Sequence, residues 1–264
     1  MTGTDGRPNA PSHAGDSSGA AVTVPHDSWA EVYDEVSAAD FGRLYTAMTS
    51  DTLRVVRRLL PSPGAVLDVG AGTGRLATPL AEAGHRVVAV EPSAGMLAQL
   101  RDPVQGPPIE RRRCHIGDFE SAPRFDLALC VFTVVSYLVD EAALRAAFRR
   151  ISGSMRPGGQ VLVDVPARAL FTSRRRRTAL IERTVDIMPT AVPGVFTYRE
   201  GIRLQRHGAW RCYRDEFPLR WWSDRAVLDV AASEGLQTAR CITDELPPTG
   251  GEWWVLRTDM TGAP

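Results

Sequence analysis

The sequence predicts an α/β domain built on a doubly wound parallel sheet, and three observations carry that prediction. Residues 66–100 read as strand, glycine turn, helix, strand and helix. The apolar run Val66-Leu67-Asp68-Val69 meets the turn Gly70-Ala71-Gly72-Thr73-Gly74, and Arg86 to Val90 returns as a second strand ending in Glu91. Phe125 to Phe132, with Asp126 its one polar residue, is an apolar run of strand length, as expected of a central strand buried on both faces. Gln160 to Val165 is a further strand after a helix that Arg156-Pro157-Gly158-Gly159 closes. Alternating strands and helices over 264 residues are most simply one domain with an elaboration.

Composition narrows the chemistry before any motif is read. The 31 basic and 31 acidic residues cancel, so no global field attracts nucleic acid or an anionic membrane. Every basic residue is Arg. Without Lys there is neither a Schiff-base lysine nor a P-loop lysine, which disfavours pyridoxal and Walker-type phosphate chemistry. Cys114, Cys130, Cys212 and Cys241 are far apart and form no C-x-x-C pair; they read as buried thiols of a reducing compartment. No apolar stretch reaches about 18 residues and no basic-then-apolar leader opens the chain, so a soluble, cytoplasmic protein is expected.

The glycine turn is informative because missing side chains let a ligand approach the backbone. A dinucleotide fingerprint would put its third glycine at position 75, which is Arg. The third glycine is Gly74, and Asp68 stands two residues before the first, giving Asp-x-Gly-x-Gly-x-Gly with Glu91 at the end of the next strand. This pattern resembles the nucleotide-binding motif of class I S-adenosylmethionine (SAM) dependent methyltransferases. The resemblance implies a Rossmann-like, seven-stranded methyltransferase sheet and SAM as cofactor, with S-adenosylhomocysteine as product. It also implies that Asp68, Gly70, Ala71, Gly72 and Gly74 shape the methionine and ribose pocket and that Glu91, followed by Pro92, binds the ribose.

Along the chain, residues 1–26 are rich in Gly, Ser, Pro, Asp and Thr and cannot repay their ordering entropy, so a disordered tail is expected. Residues 27–62 carry Trp29, Val32, Tyr33, Phe41, Leu44, Tyr45 and Met48 at helical spacing, then a separate amphipathic helix Leu53 to Leu60 stopped by Pro61. In the family such helices form a lid, which makes Tyr33 a candidate for the methionine carboxylate and Trp29 and Tyr45 walls of the acceptor pocket. Residues 63–264 form the SAM-binding domain. Arg111 to Ile116 is the expected third strand, delivering Asp118 and Phe119 where the family meets adenine. Met96, after Glu91-Pro92-Ser93, falls where the family often places an apolar adenine contact.

The loop Thr133 to Leu138 follows the fourth strand at its carboxyl end, where open α/β sheets bind ligands. Asp140 caps the helix that runs to about Met155. The Phe-x-x-x-x-Tyr-Leu loop, this helix, Arg-Pro-Gly-Gly and the next strand together resemble small-molecule methyltransferases of bacterial secondary metabolism, including amino-sugar N-methyltransferases. In those enzymes the Phe132 segment meets the methionine end and the following loop faces the acceptor. Arg174 to Arg177 read as a solvated helix face or loop. Residues 180–222 alternate as three antiparallel strands inserted over the acceptor site, and Ser223 caps the last helix, which Gly235 stops.

The implied reaction moves a methyl group from a sulfonium to N, O or C of a small natural-product acceptor by in-line displacement. An amine acceptor needs only to be unprotonated, whereas a hydroxyl or carbon benefits from a general base. Tyr137, Asp164 and His207 are the catalytic candidates, with Glu200 also near the expected mouth. No His/Asp/Glu cluster has metal-ligand spacing, so no metal is expected. Expected partners are a small-molecule acceptor, no nucleic acid and no membrane, in a monomer or homodimer. An NAD(P)-dependent oxidoreductase, an RNA methyltransferase and a non-catalytic scaffold of the same fold stay open as alternatives.

Overall fold

The computed structural model of the protein describes residues 24–122, 124–246 and 250–260. The disorder expected of residues 1–23 lies outside them. Seven strands form the main sheet: β1 (Ala65–Val69), β2 (Arg86–Val90), β3 (Glu110–Arg112), β4 (Phe125–Cys130), β5 (Met155–Pro166), β10 (Leu236–Cys241) and β11 (Gly251–Thr258), in the order β10-β11-β5-β4-β1-β2-β3. β11 runs antiparallel to both neighbours and the remaining pairs are parallel. This is the doubly wound sheet that the sequence predicts, with the seven strands that the resemblance implies.

Both faces of the sheet are covered, which explains its largely apolar central strands; Cys130 is buried there, whereas Cys212 and Cys241 are exposed, against the expectation of buried thiols, because they lie on strands with an open face. Leu67, Ala128 and Val163 belong to one buried cluster, which helix α5 (Glu141–Ser154) supplies with Leu144, Phe148 and Ile151. Val66, Leu127 and Leu162 point the other way, toward Val55 and Val56 of helix α2 (Arg43–Leu59) and Leu80 of α3 (Ala77–Glu82). Successive side chains of a strand face opposite sides, so a strand buried twice has no polar period. Asp140 and Ser223 cap α5 and α6 (Asp224–Ser233) through Ala143 N–H at 2.7 Å and Ala226 N–H at 3.2 Å.

Before β1 come a 3-10 turn at Asp27–Val32, α1 (Tyr33–Phe41) and α2. Residues 43–59 form one helix, where the sequence suggested two segments. A second, antiparallel sheet has the order β6 (Arg174–Arg177), β7 (Ile181–Pro189), β8 (Val195–Arg206) and β9 (Ala209–Arg220). The insertion therefore has four strands and begins at 174, because Arg174–Arg177 pair antiparallel with Val185 to Glu182. An all-Arg run has no apolar alternation to announce a strand; the partner strand supplies the ladder, and the charges guard an exposed edge. Trp29, Val32 and Val36 of the N-terminal segment pack on Ile181, Ile202 and Leu204 of this sheet. Arg183 fastens the same contact, with its guanidinium 2.6 Å from Asp40 on α1 and 2.5 Å from Glu200 on β8.

Two boundaries move. The third strand is only Glu110–Arg112, and the fifth begins at Met155 with a register irregularity that absorbs Arg156–Gly159. No helix among the described residues is long and apolar enough to cross a membrane.

Candidate active site

A cavity of about 470 Å³ opens at the carboxyl ends of β1, β2 and β4, under the N-terminal segment and beside β9. Its floor is the glycine turn. Gly70 and Gly72 have φ of +68° and +57°, and a Cβ on Gly70 would lie 2.6 Å from Val134 Cγ2. Neither the backbone nor the space admits a larger residue at Gly70. Gly74, at φ +84°, lies off the cavity; its missing Cβ makes room for Leu100. The helix after the turn starts at Ala77 and is only six residues long.

Glu91 ends β2 with its carboxylate 8% exposed, accepting Gly72 N–H at 3.0 Å on one oxygen and Ser93 N–H at 2.9 Å on the other. A carboxylate has about four acceptor positions, so each oxygen can still take one hydroxyl, which is what a ribose diol requires. Burial raises its pKa, opposed by the two amides. Asp68 is fully buried, and burial together with the Glu91 charge lifts its carboxyl to about 7. Its Oδ2 has no hydrogen-bond partner among the described residues.

Arg75 is the cation of the site. Its guanidinium carbon sits 4.2 Å from the centre of the Tyr45 ring and 3.9 Å from that of Phe132, and its buried Nη1 has no partner among the described residues. A planar guanidinium held between two rings with an unused donor is suited to a carboxylate. Tyr33 lines the same cavity, and Trp29 stacks behind it with ring centres 4.9 Å apart. Trp29 is therefore backing for the wall. Ala71, Pro92, Met96 and Asp118 line the cavity. Phe119 does not: its ring is buried in the core beside Phe125, because the 3-10 turn Ile116–Asp118 directs it inward.

The N-terminal segment closes over this site with specific polar contacts. Asp27 Oδ1 accepts Ser93 Oγ–H at 2.6 Å and Gly95 N–H at 2.9 Å, at the start of α4 (Ala94–Gln99). Asp34 Oδ1 accepts from Tyr45 at 2.6 Å and from Thr73 of the glycine turn at 3.0 Å. These contacts tie the N-terminal helices to the glycine turn and to the start of α4.

Of the three catalytic candidates, only Tyr137 lines the cavity. His207 occupies the exposed β8–β9 turn at φ +51°, away from the cavity, because Gly208 completes the tight turn there. Asp164 lies behind the loop, 5% exposed, where both its oxygens accept Thr133 N–H at 3.0 and 3.1 Å. Phe132 and Thr133 have φ of +64° and +71°, uncommon for side chains of their size, and this carboxylate holds the kink that aims Phe132 at Arg75. Asp164 therefore meets the loop from behind and does not reach the cavity, contrary to its place among the catalytic candidates.

His26, which composition assigned to the tail, belongs to the site. Its ring lines the cavity, its Nε2 is 2.8 Å from Tyr137 Oη, and its backbone N–H donates to Asp215 at 2.6 Å. Tyr33, Tyr137 and Phe217 complete an aromatic chamber around it. Sequence reasoning missed His26, Asp27 and Arg75. Arg75 alone left a signal, as the charged residue where a dinucleotide motif would have glycine. Among the described residues no group of three or more His, Cys, Asp or Glu side chains could hold a metal.

The unpaired Asp68 oxygen, the unpaired Arg75 donor and the glycine floor fit a ligand carrying a ribose and an amino-acid end, as S-adenosylmethionine does. Comparison with known proteins agrees. A family model described as a methyltransferase domain matches residues 66–159. A Geobacillus sp. (strain WCH70) protein whose methyltransferase assignment is itself provisional is 35% identical over 204 residues, covering 71% of this chain and 81% of that one. The dTDP-3-amino-3,6-dideoxy-alpha-D-glucopyranose N,N-dimethyltransferase of Streptomyces fradiae is 33% identical over 135 residues. That match spans about half of each chain, 51% of this one and 52% of the relative. The SAM-bound structure of CalS10, an amino pentose methyltransferase of Micromonospora echinaspora, superposes with a TM-score of 0.67 at 21% identity, covering 85% of this chain and 96% of that one. The likeness to that structure is one of fold, whereas the Geobacillus relative and the family model are likenesses of sequence. The chain belongs to the S-adenosylmethionine-dependent methyltransferase family.

Proposed function

We propose that the protein methylates the amine of an amino sugar carried on a nucleoside diphosphate, using S-adenosylmethionine. One observation carries the choice of nitrogen: the aromatic chamber in which Tyr33, Tyr137 and Phe217 surround His26 holds no base matched to neutral pH, while Asp68 and His115, which line the same cavity, lie on β1 and just after β3, on its cofactor side. Burial and Arg183 push the His26 imidazole down to about 3, and burial raises the Tyr33 and Tyr137 hydroxyls. Asp164 and His207 lie outside the cavity. A hydroxyl or carbon acceptor would need help to lose its proton, whereas a neutral amine brings its own lone pair. The Streptomyces fradiae relative, named as an N,N-dimethyltransferase of a dTDP-linked amino sugar, supports the acceptor class.

In this reading Glu91 takes the ribose hydroxyls, Asp118 the adenine amino group and Met96 the adenine face. Arg75 and Tyr33 hold the methionine carboxylate. When bound, the cofactor supplies an electrophilic methyl on a sulfonium. The chain's own contribution is to align the acceptor with that methyl for in-line attack and to exclude water under the lid helices. Asp27 and Asp34 keep those helices down, and Phe132 and Tyr137 shape the channel between the two reactants.

The test is incubation with S-adenosylmethionine and a dTDP-linked 3-amino-3,6-dideoxyglucose, read by mass spectrometry and by S-adenosylhomocysteine release. Methylation of nitrogen is expected. Methylation of oxygen or carbon, or equal turnover of amine-free dTDP-glucose, refutes the assignment.

A further inference from the structure

His26 stands at the meeting point of the lid, the fourth-strand loop and the inserted sheet. Its ring centre lies 5.2 Å from Trp29, 5.4 Å from Tyr33, 5.9 Å from Tyr137 and 5.1 Å from Phe217, all edge-on. Rotation of the ring is therefore blocked on four sides, and the backbone is fixed by the bond to Asp215. Nε2 faces Tyr137 Oη at 2.8 Å, and Nδ1 faces Glu200 Oε2 at 3.9 Å. Neither Nδ1 nor Glu200 Oε2 has a hydrogen-bond partner among the described residues. The other Glu200 oxygen is taken by Arg183 at 2.5 Å, and Arg183 is itself shared with Asp40.

We infer that His26 is a positioning residue: protonated on Nδ1 toward Glu200, it accepts the Tyr137 hydroxyl hydrogen bond on Nε2 and leaves the Tyr137 oxygen to accept an N–H of the methyl acceptor. The inference rests on the reading of this chamber as the site of methyl transfer to nitrogen. The tautomer follows from charge. A proton on Nδ1 turns the positive end of an N–H dipole toward the buried carboxylate, whereas a proton on Nε2 would set a lone pair against it. The groups facing the ring from the packed elements are Tyr33, Tyr137, Arg183, Glu200 and Asp215. Burial and the Arg183 charge keep the imidazole neutral, so no second cation stands beside the sulfonium.

The consequence is directional. With its proton committed to His26, the Tyr137 hydroxyl has only lone pairs left for the chamber. It can hold an acceptor amine by one N–H while the nitrogen lone pair attacks. The N–C bond forms as the C–S bond breaks, and the methylammonium product later gives its extra proton to water. His26 takes up no proton at any point, which separates this role from that of a general base.

The hydrogen-bond direction is read by ¹⁵N NMR of histidine-labelled protein, with the His26 signals assigned by their loss in His26→Phe. Nδ1 protonated, Nε2 unprotonated, no titration between pH 5 and 8, and an Nε2 shift in Tyr137→Phe are expected. An Nε2–H tautomer, or titration near pH 6.5, overturns the inference. Its effect is read in a double-mutant cycle using the dTDP-linked amino sugar. His26→Phe keeps a ring in the cluster and is expected to lower kcat by on the order of tenfold, as for one hydrogen bond. Adding it to Tyr137→Phe is expected to cost nothing further. Additive losses would mean that the ring only packs, and would overturn the inference. If the wild type leaves this sugar unmethylated, the acceptor assignment fails while the NMR result still decides the direction of the bond.

Discussion

Replacing Asp164 by Asn should change the pH dependence of folding in a way that only a buried, proton-binding carboxyl explains. Burial lifts this carboxyl to about 7, with the amides of Thr133, Asp164 and Phe132 opposing the rise. Its ordinary value is 3.8, so the folded chain holds a proton that the unfolded chain has lost across roughly three pH units. Such a group stabilises the fold fully at low pH, and its contribution falls away as pH rises through the folded pKa. One proton corresponds to about 1.4 kcal/mol per pH unit, hence on the order of 4 kcal/mol over the whole window. The amide introduced by Asp164→Asn cannot ionise, yet it keeps an oxygen for the Thr133 N–H. Relative to wild type, the variant should gain about 2 to 3 kcal/mol between pH 5 and 7 and then level off. Opposing contributions, such as the depressed His26 imidazole, are common to both proteins and cancel in the difference. Urea unfolding followed by tryptophan fluorescence at pH 5, 6, 7 and 8 measures it. A constant difference across this range would show that Asp164 is already ionised in the folded protein.

Three further outcomes follow from the cavity. Gly70→Ala places a methyl group 2.6 Å from Val134 Cγ2 at a φ of +68°, so calorimetry should find S-adenosylhomocysteine binding lost. Wild-type affinity in this variant would mean that the turn does not bear on the cofactor. Arg75→Met removes a charged donor worth about 1.5 to 3 kcal/mol, and should weaken S-adenosylhomocysteine roughly tenfold to a hundredfold. Adenosine lacks the carboxylate and should bind unchanged; equal losses for both ligands would place Arg75 elsewhere on the ligand. Asp27→Ala breaks both contacts to the start of α4, so limited proteolysis should cut the 24–45 segment faster than in wild type. Unchanged cleavage would show that the aromatic packing alone holds the lid.

The gathering of the glycine turn and its two acids at one cavity was legible because they lie in one contiguous stretch of residues. Asp68, the glycines and Glu91 lie at the ends of adjacent strands, so spacing along the chain maps directly onto spacing at the sheet edge. The central strands of the main sheet were legible for a different reason: strands buried on both faces leave apolar runs, which do not give their order. What lay hidden depends on tertiary pairing. His26 sits in a Gly/Pro/Ser-rich region and gains its meaning only from Tyr137, 111 positions away. Arg174–Arg177 become a strand only because Glu182–Val185 lie alongside. Asp164 and Tyr137 come from neighbouring parts of one sheet edge, yet one supports the loop from behind while the other faces the cavity, and only the kink at Phe132 and Thr133 distinguishes them. Phe119 next to Asp118 shows the same limit: one turn sends consecutive side chains to the cavity and to the core.

Every role proposed for the cavity depends on cofactor recognition by Glu91 and the glycine turn. Calorimetric titration of the purified protein with S-adenosylhomocysteine, repeated with Glu91→Ala and with NAD, tests it most directly. Micromolar binding that is lost in the variant and absent for NAD is the predicted result. A folded protein that binds NAD, or that binds neither ligand, would contradict it.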